Sequence, residues 1–220
     1  MNFSSSRKYS CELIGTLFLT VAVLGSGIMA TNLSSDDGLA LFANAIVTGL
    51  ALYTLISLLA PISGAHLNPI VTISLWLKGD ISKKTSFFYI IFQISGAFLG
   101  CVITNIIYDL PLISMSTTER SGAQIVFAEG LSSFGLILVI MLASSFLSKK
   151  IPVLVGCYIA AAILFSPSNS FANPALTIAR QFSDTFCGIS MNSVGPYIVV
   201  QIIAAFLAYI LYQWLTAGRG

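Results

Sequence analysis

Six long apolar runs dominate the chain, at residues 11–30, 39–62, 86–109, 122–147, 151–167 and 193–216. A bilayer core about 30 Å thick needs ~20 apolar residues per spanning helix. The runs match that length, the fifth near its lower limit. They are too long and too continuously apolar for barrel strands, which alternate over ~10 residues. The pattern predicts an all-α membrane protein that crosses the bilayer six times. Six spans take up about 120 residues. The remainder of a 220-residue chain leaves no room for a sizeable soluble domain, so 1–220 reads as one domain.

Two connections do not read as ordinary loops. Residues 63–85 and 168–192 each exceed twenty residues and contain apolar stretches, whereas structureless loops of that length are uncommon. Each holds an Asn-Pro pair followed by helix-forming residues: Asn68-Pro69-Ile70-Val71-Thr72 and Asn173-Pro174-Ala175-Leu176-Thr177. Asn is a good helix N-cap and Pro is favoured at the first helical position. Each pair therefore predicts the start of a short helix that dips into the membrane from one side. Such backbone is tolerated there only where protein or a water-filled cavity surrounds it.

The chain also repeats itself. Glu12 and Glu129 lie 117 residues apart, Asn68-Pro69 and Asn173-Pro174 105 apart, and Gln93-Ile94 and Gln201-Ile202 108 apart. The repeats run over about 11–109 and 122–216. Three spans per copy is an odd number, so the second copy enters from the opposite face. This is an inverted repeat with its axis in the membrane plane, and the two Asn-Pro starts meet near the midplane.

Composition sharpens this picture. Only 8% of residues are charged and 56% are hydrophobic, against roughly 25% charged in a soluble domain, which excludes an ordinary soluble enzyme. The net charge of +2 is too small to point to nucleic acid. With an inside N-terminus, Arg7, Lys8, Lys78, Lys83, Lys84, Lys149, Lys150 and Arg219 fall inside and only Arg120 and Arg180 outside. By the positive-inside rule both termini are cytoplasmic and the protein sits multi-pass in the cell (plasma or inner) membrane. The first apolar run has no clear cleavage site and reads as a retained helix. Cys11, Cys101 and Cys157 read as small buried hydrophobes, whereas Cys187 falls in a loop within reach of solvent. No cysteine or histidine spacing holds a metal, no cofactor motif is present, and His66 is solitary. There is no Ser/His/Asp set and no H-E-x-x-H, so nothing points to an enzyme.

The segments Ser63-Gly64-Ala65-His66-Leu67-Asn68-Pro69 and Ser170-Phe171-Ala172-Asn173-Pro174-Ala175 resemble the two signature motifs of the aquaporin (major intrinsic protein) family. Glu12 and Glu129, with Thr16 and Ser133 four residues on, match as well. The resemblance implies six tilted helices and two half-helices around one pore per subunit, usually in a homotetramer within the lipid bilayer. It implies a passive channel for water and small neutral solutes. Asn68, Pro69, Ile70, Asn173, Pro174 and Ala175 then form the pore midplane, and Glu12 and Glu129 hold the half-helix loops by accepting backbone N–H bonds. Half-helix N-termini, each carrying roughly +0.5 of an elementary charge, repel protons and cations. The Asn68 and Asn173 NH2 groups are expected free to donate to a solute. His66 is either a pore-lining donor on the cytoplasmic side or a satisfied structural residue. Gln93 and Gln201 read as interhelical hydrogen-bond partners, and Gly96 and Gly100 as packing contacts.

By spacing from the two Asn-Pro pairs, the selectivity filter falls on Thr48, Ala161, Ser170 and Leu176. The family usually has Arg at the position of Leu176 and Ala at that of Ile70. The filter Phe and His of strict water channels are absent too. The opening is therefore expected to pass glycerol, urea or neutral metalloid acids such as arsenite. A strictly water-selective pore, or a secondary transporter built on broken helices, are the alternatives. Arg180 follows Asn173 by seven residues, nearly two helical turns and ~10 Å along the same face. It either lines the outer vestibule, restoring part of the missing positive barrier, or is a surface residue paired with Asp184.

Overall fold

A computed structural model describes residues 3–217; Arg219 lies outside the described residues. The helices are α1 (Ser5–Leu33), α2 (Asp37–Ser63), α3 (Pro69–Lys78), α4 (Lys83–Ile107), α5 (Ala123–Phe146), α6 (Ile151–Phe165), α7 (Pro174–Arg180) and α8 (Met191–Thr216). A single 3-10 turn, Ser148–Lys150, leads into α6. Six of these segments are long and apolar enough to cross a membrane. At 1.5 Å per residue α3 is about 15 Å long, close to half of the ~30 Å hydrocarbon layer. Hydropathy locates the apolar part of a span and not its helical ends. Accordingly α1 begins at Ser5, inside the polar segment that carries Arg7 and Lys8, and not at residue 11.

The two halves have matching architecture. α1 packs on α2 and α4, and α5 packs on α6 and α8. Each half-helix sits beside the last helix of its own half, α3 on α4 and α7 on α8. Each also reaches across, α3 to α8 and α7 to α4, and α3 touches α7. Both half-helices therefore lie enclosed by spanning helices of both repeats, where non-helical backbone at membrane depth is tolerated.

Small residues set the closest crossings. A Cβ on Gly96 or Gly100 would strike the Leu13 or Leu17 carbonyl of α1, so these two glycines let α4 approach α1 backbone to backbone. A second crossing was not apparent in the sequence. A Cβ on Gly49 would come 2.7 Å from the Gly156 carbonyl oxygen, and one on Gly156 2.6 Å from that of Gly49. That pair joins α2 to α6 across the repeats.

Large apolar side chains such as Phe18, Leu58, Phe127, Ile210 and Trp214 are exposed on the outside of the helix bundle, a surface suited to an apolar surrounding. The cysteines do not follow the expected partition. Cys101 is buried and Cys11 half-buried, but Cys157 is exposed on the outer surface of α6. Cys187 is buried, its Sγ 3.3 Å from the Val23 carbonyl, because its loop folds inward onto α1.

Candidate pore between the two half-helices

The site is built on two symmetric loops. Each half-helix is entered through residues held in the left-handed region: Ala65 (φ 47°) and Leu67 (φ 51°) before α3, Ser170 (φ 43°) and Ala172 (φ 44°) before α7. For side chains with a Cβ this conformation costs roughly 1–2 kcal/mol each, so something outside the loop must hold it. Glu12 and Glu129 do so. Glu12 accepts hydrogen bonds from the backbone N–H of His66 (3.1 Å) and Leu67 (2.8 Å), from Ser63 Oγ (2.7 Å) and from Gln93 Nε2 (2.8 Å). Glu129 accepts from the N–H of Phe171 (3.1 Å) and Ala172 (2.6 Å) and from Gln201 Nε2 (2.7 Å). Both carboxylates are fully buried.

The support extends through residues the sequence did not single out. Gln93 also donates to Thr72 Oγ1 (2.9 Å), and Gln201 to Thr177 Oγ1 (3.0 Å). Tyr89 donates from its hydroxyl to the Ser63 carbonyl, and Tyr197 to that of Ser168. Thr72 and Thr177 share the 105-residue offset of the Asn-Pro pairs, and Tyr89 and Tyr197 the 108-residue offset of the glutamines. That shared spacing was the available signal.

The two Asn caps are joined across the repeats. Asn68 Oδ1 accepts from Ile70 N–H (3.0 Å), and Asn68 Nδ2 donates to the Ala172 carbonyl (2.7 Å). Asn173 Oδ1 accepts from Ala175 and Leu176, and its Nδ2 donates to the Leu67 carbonyl (2.9 Å). An amide NH2 carries two hydrogens. One of each pair is thus engaged by the opposite loop, and a single N–H per Asn is left unengaged among the described residues, not the whole NH2 group that the sequence implies.

A cavity of about 260 Å³ runs past both amides. At one end Asp80, after α3, and Ser144, near the end of α5, line it; at the other, Arg180 ends α7. Lys78 pairs with Asp80 (2.9 Å) and donates to Ser144 Oγ (2.9 Å). His66 lines the wall and its Nδ1 lies 3.1 Å from Thr72 Oγ1, with the ring edge-on to Tyr89. It thus lines the cavity and is hydrogen-bonded as well, so the two alternatives are not exclusive. The rest of the wall is largely aliphatic, including Leu52, Ile56, Val71, Leu136 and Ile140.

The expected midplane and filter sets are partly rearranged. Asn68 and Asn173 line the cavity, whereas Pro69, Ile70, Pro174 and Ala175 are buried behind it, in the first turns of the half-helices. Thr48, Ser170 and Leu176 line the cavity, and the Thr48 and Ser170 hydroxyl oxygens are buried without a partner among the described residues. Ala161 does not line it: it is exposed on the outer face of α6. Val155, Ile159 and Ile163, spaced by four, form the inward stripe of that helix. Counting back from Asn173 runs through the irregular loop before α7, so the helical phase is lost.

Arg180 is buried and lines the cavity. It makes no pair with Asp184, whose Oδ1 accepts from the N–H and hydroxyl of Thr117. The surface-pair alternative for Arg180 is thereby overturned. Among the described residues no group of His, Cys, Asp and Glu could hold a metal ion.

Six membrane-length helices wrapped around two half-helices that meet beside an interior passage define a polytopic membrane protein of channel architecture. The family model for the major intrinsic proteins matches residues 1–170. The chain is 40% identical over 213 residues to aquaglyceroporin AqpS of Rhizobium meliloti (strain 1021), covering 97% of this chain and 91% of that one. It is 29% identical to aquaporin TIP2-3 of Arabidopsis thaliana, over 95% of this chain and 87% of the relative. The X-ray structure of the aquaglyceroporin from Plasmodium falciparum shares the fold, with TM-score 0.71 at 23% identity, covering 98% of this chain and 97% of that one. The chain belongs to the major intrinsic protein family.

Proposed function

We propose that the protein is a passive, bidirectional channel for water and small uncharged solutes of glycerol or urea size, including neutral metalloid acids such as arsenite. The observation that carries this reading is the pair of Asn amides. Each keeps one N–H at the middle of a mostly aliphatic passage, with the start of a half-helix behind it. A solute oxygen gains a hydrogen bond there, while the positive helix ends oppose cations. The aliphatic wall holds a solute only weakly.

The outer constriction reads as Thr48, Ser170 and Leu176, with Ile159 and Ile163 supplying the α6 side. A buried hydroxyl without a partner costs roughly 1–3 kcal/mol, which a passing solute oxygen at Thr48 or Ser170 offsets. Leu176 leaves the ring open to solutes larger than water. Resemblance to a protein described as an aquaglyceroporin supports the same solute size. A coupled transporter needs a titratable pair at the midplane, whereas the acidic residue lining the cavity, Asp80, lies at its end and is paired with Lys78.

The same reading places both termini on the cytoplasmic side of the cell membrane, supported by the eight-to-two distribution of basic residues. It also takes the protein as a homotetramer, each subunit with its own passage. Light scattering from reconstituted liposomes tests the reading. Under water, glycerol and urea gradients, liposomes with protein are expected to shrink and re-swell faster than empty ones. Water flow with neither glycerol nor urea flow would refute the wide filter, and no flow of any of them would refute the channel.

A further inference from the structure

The loop after α7 offers three successive carbonyls to two arginines. Arg120, from the connection between α4 and α5, donates from Nε to the Gly188 carbonyl (2.8 Å) and from Nη2 to that of Phe186 (3.1 Å). Arg180 donates from Nε to the Cys187 carbonyl between them (2.5 Å). The two guanidiniums also share one aromatic ring: the central carbon of Arg180 lies 3.4 Å from the Phe171 centroid and that of Arg120 5.2 Å.

This placement returns Arg180 to the constriction. It ends α7, four residues and about 6 Å beyond Leu176, yet its guanidinium lies over a residue that precedes the half-helix and adjoins Ser170. Arg180 lines the cavity, and its two Nη groups have no protein acceptor among the described residues. Arg120 does not line the cavity; it is bound to the loop, with its own N–H donating to Ser193 Oγ (3.1 Å).

A buried cation is costly unless paired, and in membrane proteins such groups are retained for function. Here the nearby acids are committed elsewhere: Asp184 to Thr117, Glu119 to Ser193, and Glu129 to the α7 loop and Gln201. Ring face and carbonyl dipoles compensate the two charges, leaving the Arg180 fork to meet what passes. Segment 186–188 is itself seated on α1: Cys187 Sγ contacts the Val23 carbonyl, and a Cβ on Gly27 would strike that sulfur.

We propose that Arg180 is the specificity-determining cation of the outer constriction, and that Arg120 positions it by fixing the Phe186–Gly188 carbonyls and sharing the Phe171 ring. The proposal rests on the channel reading. A guanidinium has donors only, so it favours neutral solutes that offer oxygen acceptors, such as polyols and undissociated weak acids. It repels cations such as ammonium and hydronium.

The test uses full-length protein in liposomes, with water flux from light scattering and proton and ammonium leak from an entrapped pH dye. Wild-type water flux above that of empty liposomes checks the channel reading first and separately. Arg180→Met is expected to raise cation leak relative to water flux by about tenfold or more, the scale of one unit charge at close range. Arg180→Lys keeps the charge and the exclusion but lacks the planar fork, so its glycerol-to-water ratio falls. Arg120→Met is expected to raise the same leak ratio, Arg120→Lys, which keeps the charge but not the two-point fork, to restore it in part, and the double Met variant to leak no more than Arg180→Met alone. Cation leak at wild-type level in Arg180→Met, or a wild-type glycerol-to-water ratio in Arg180→Lys, would overturn the role of Arg180. Additive leaks in the double variant, or failure of Arg120→Lys to rescue, would overturn the positioning role of Arg120.

Discussion

Glu129→Ala is expected to lose roughly 3–9 kcal/mol of stability, since three buried donors lose their acceptor at about 1–3 kcal/mol each. The donors are the N–H groups of Phe171 and Ala172 and the amide of Gln201. Two of them belong to the loop whose Ser170 and Ala172 are held left-handed. Without the carboxylate that strain loses its main offset, with the Tyr197 and Asn68 contacts left to hold the loop, and the loop relaxes toward the cavity. Thermal unfolding in detergent should show a large fall in midpoint, and the surviving protein should carry little water. Glu129→Gln keeps one acceptor oxygen but turns an NH2 group toward a donor, so it falls between. Glu12→Ala follows the same argument with four donors. A Glu129→Gln protein with wild-type midpoint and wild-type flux would show that the carboxylate is not the loop's support.

Leu176→Arg is expected to convert the wide filter into a narrow one. Leu176 lines the cavity one turn before Arg180, so the substitution adds bulk and a second unpaired cation to the same face of α7. The glycerol rate should fall by about tenfold or more, equivalent to an added barrier of ~1.4 kcal/mol, while water flux is largely retained. The check is the glycerol-to-water ratio measured on the same liposomes. An unchanged ratio would mean that Leu176 does not set the opening.

The parts of this fold that were legible in the sequence are those written twice. Asn68 and Asn173, Glu12 and Glu129, and Gln93 and Gln201 recur at nearly constant offset. Their local chemistry is also unambiguous: an Asn before Pro caps a helix, and an acid within an apolar span needs donors. Ala161 failed for a geometric reason. Residue counts fix a face only within one regular helix, and residues 166–173, which include three left-handed positions, separate α6 from Asn173. Cys157 and Cys187 failed because hydropathy does not distinguish a lipid-facing apolar position from a buried one, nor an inward-folded loop from a solvated one. Arg120 was legible only as an exception to the charge asymmetry. Its tie to Phe186 and Gly188 spans more than sixty residues and has no local signature. The engaged half of each Asn amide is likewise a contact between repeats, beyond what either motif contains.

The temperature dependence of glycerol flux through reconstituted liposomes tests the central claim most directly. An open passage lined by fixed amides and aliphatic side chains predicts a weak dependence, close to that of diffusion in water, and flux that rises linearly with the gradient. A steep dependence with saturation, as alternating access requires, would contradict it.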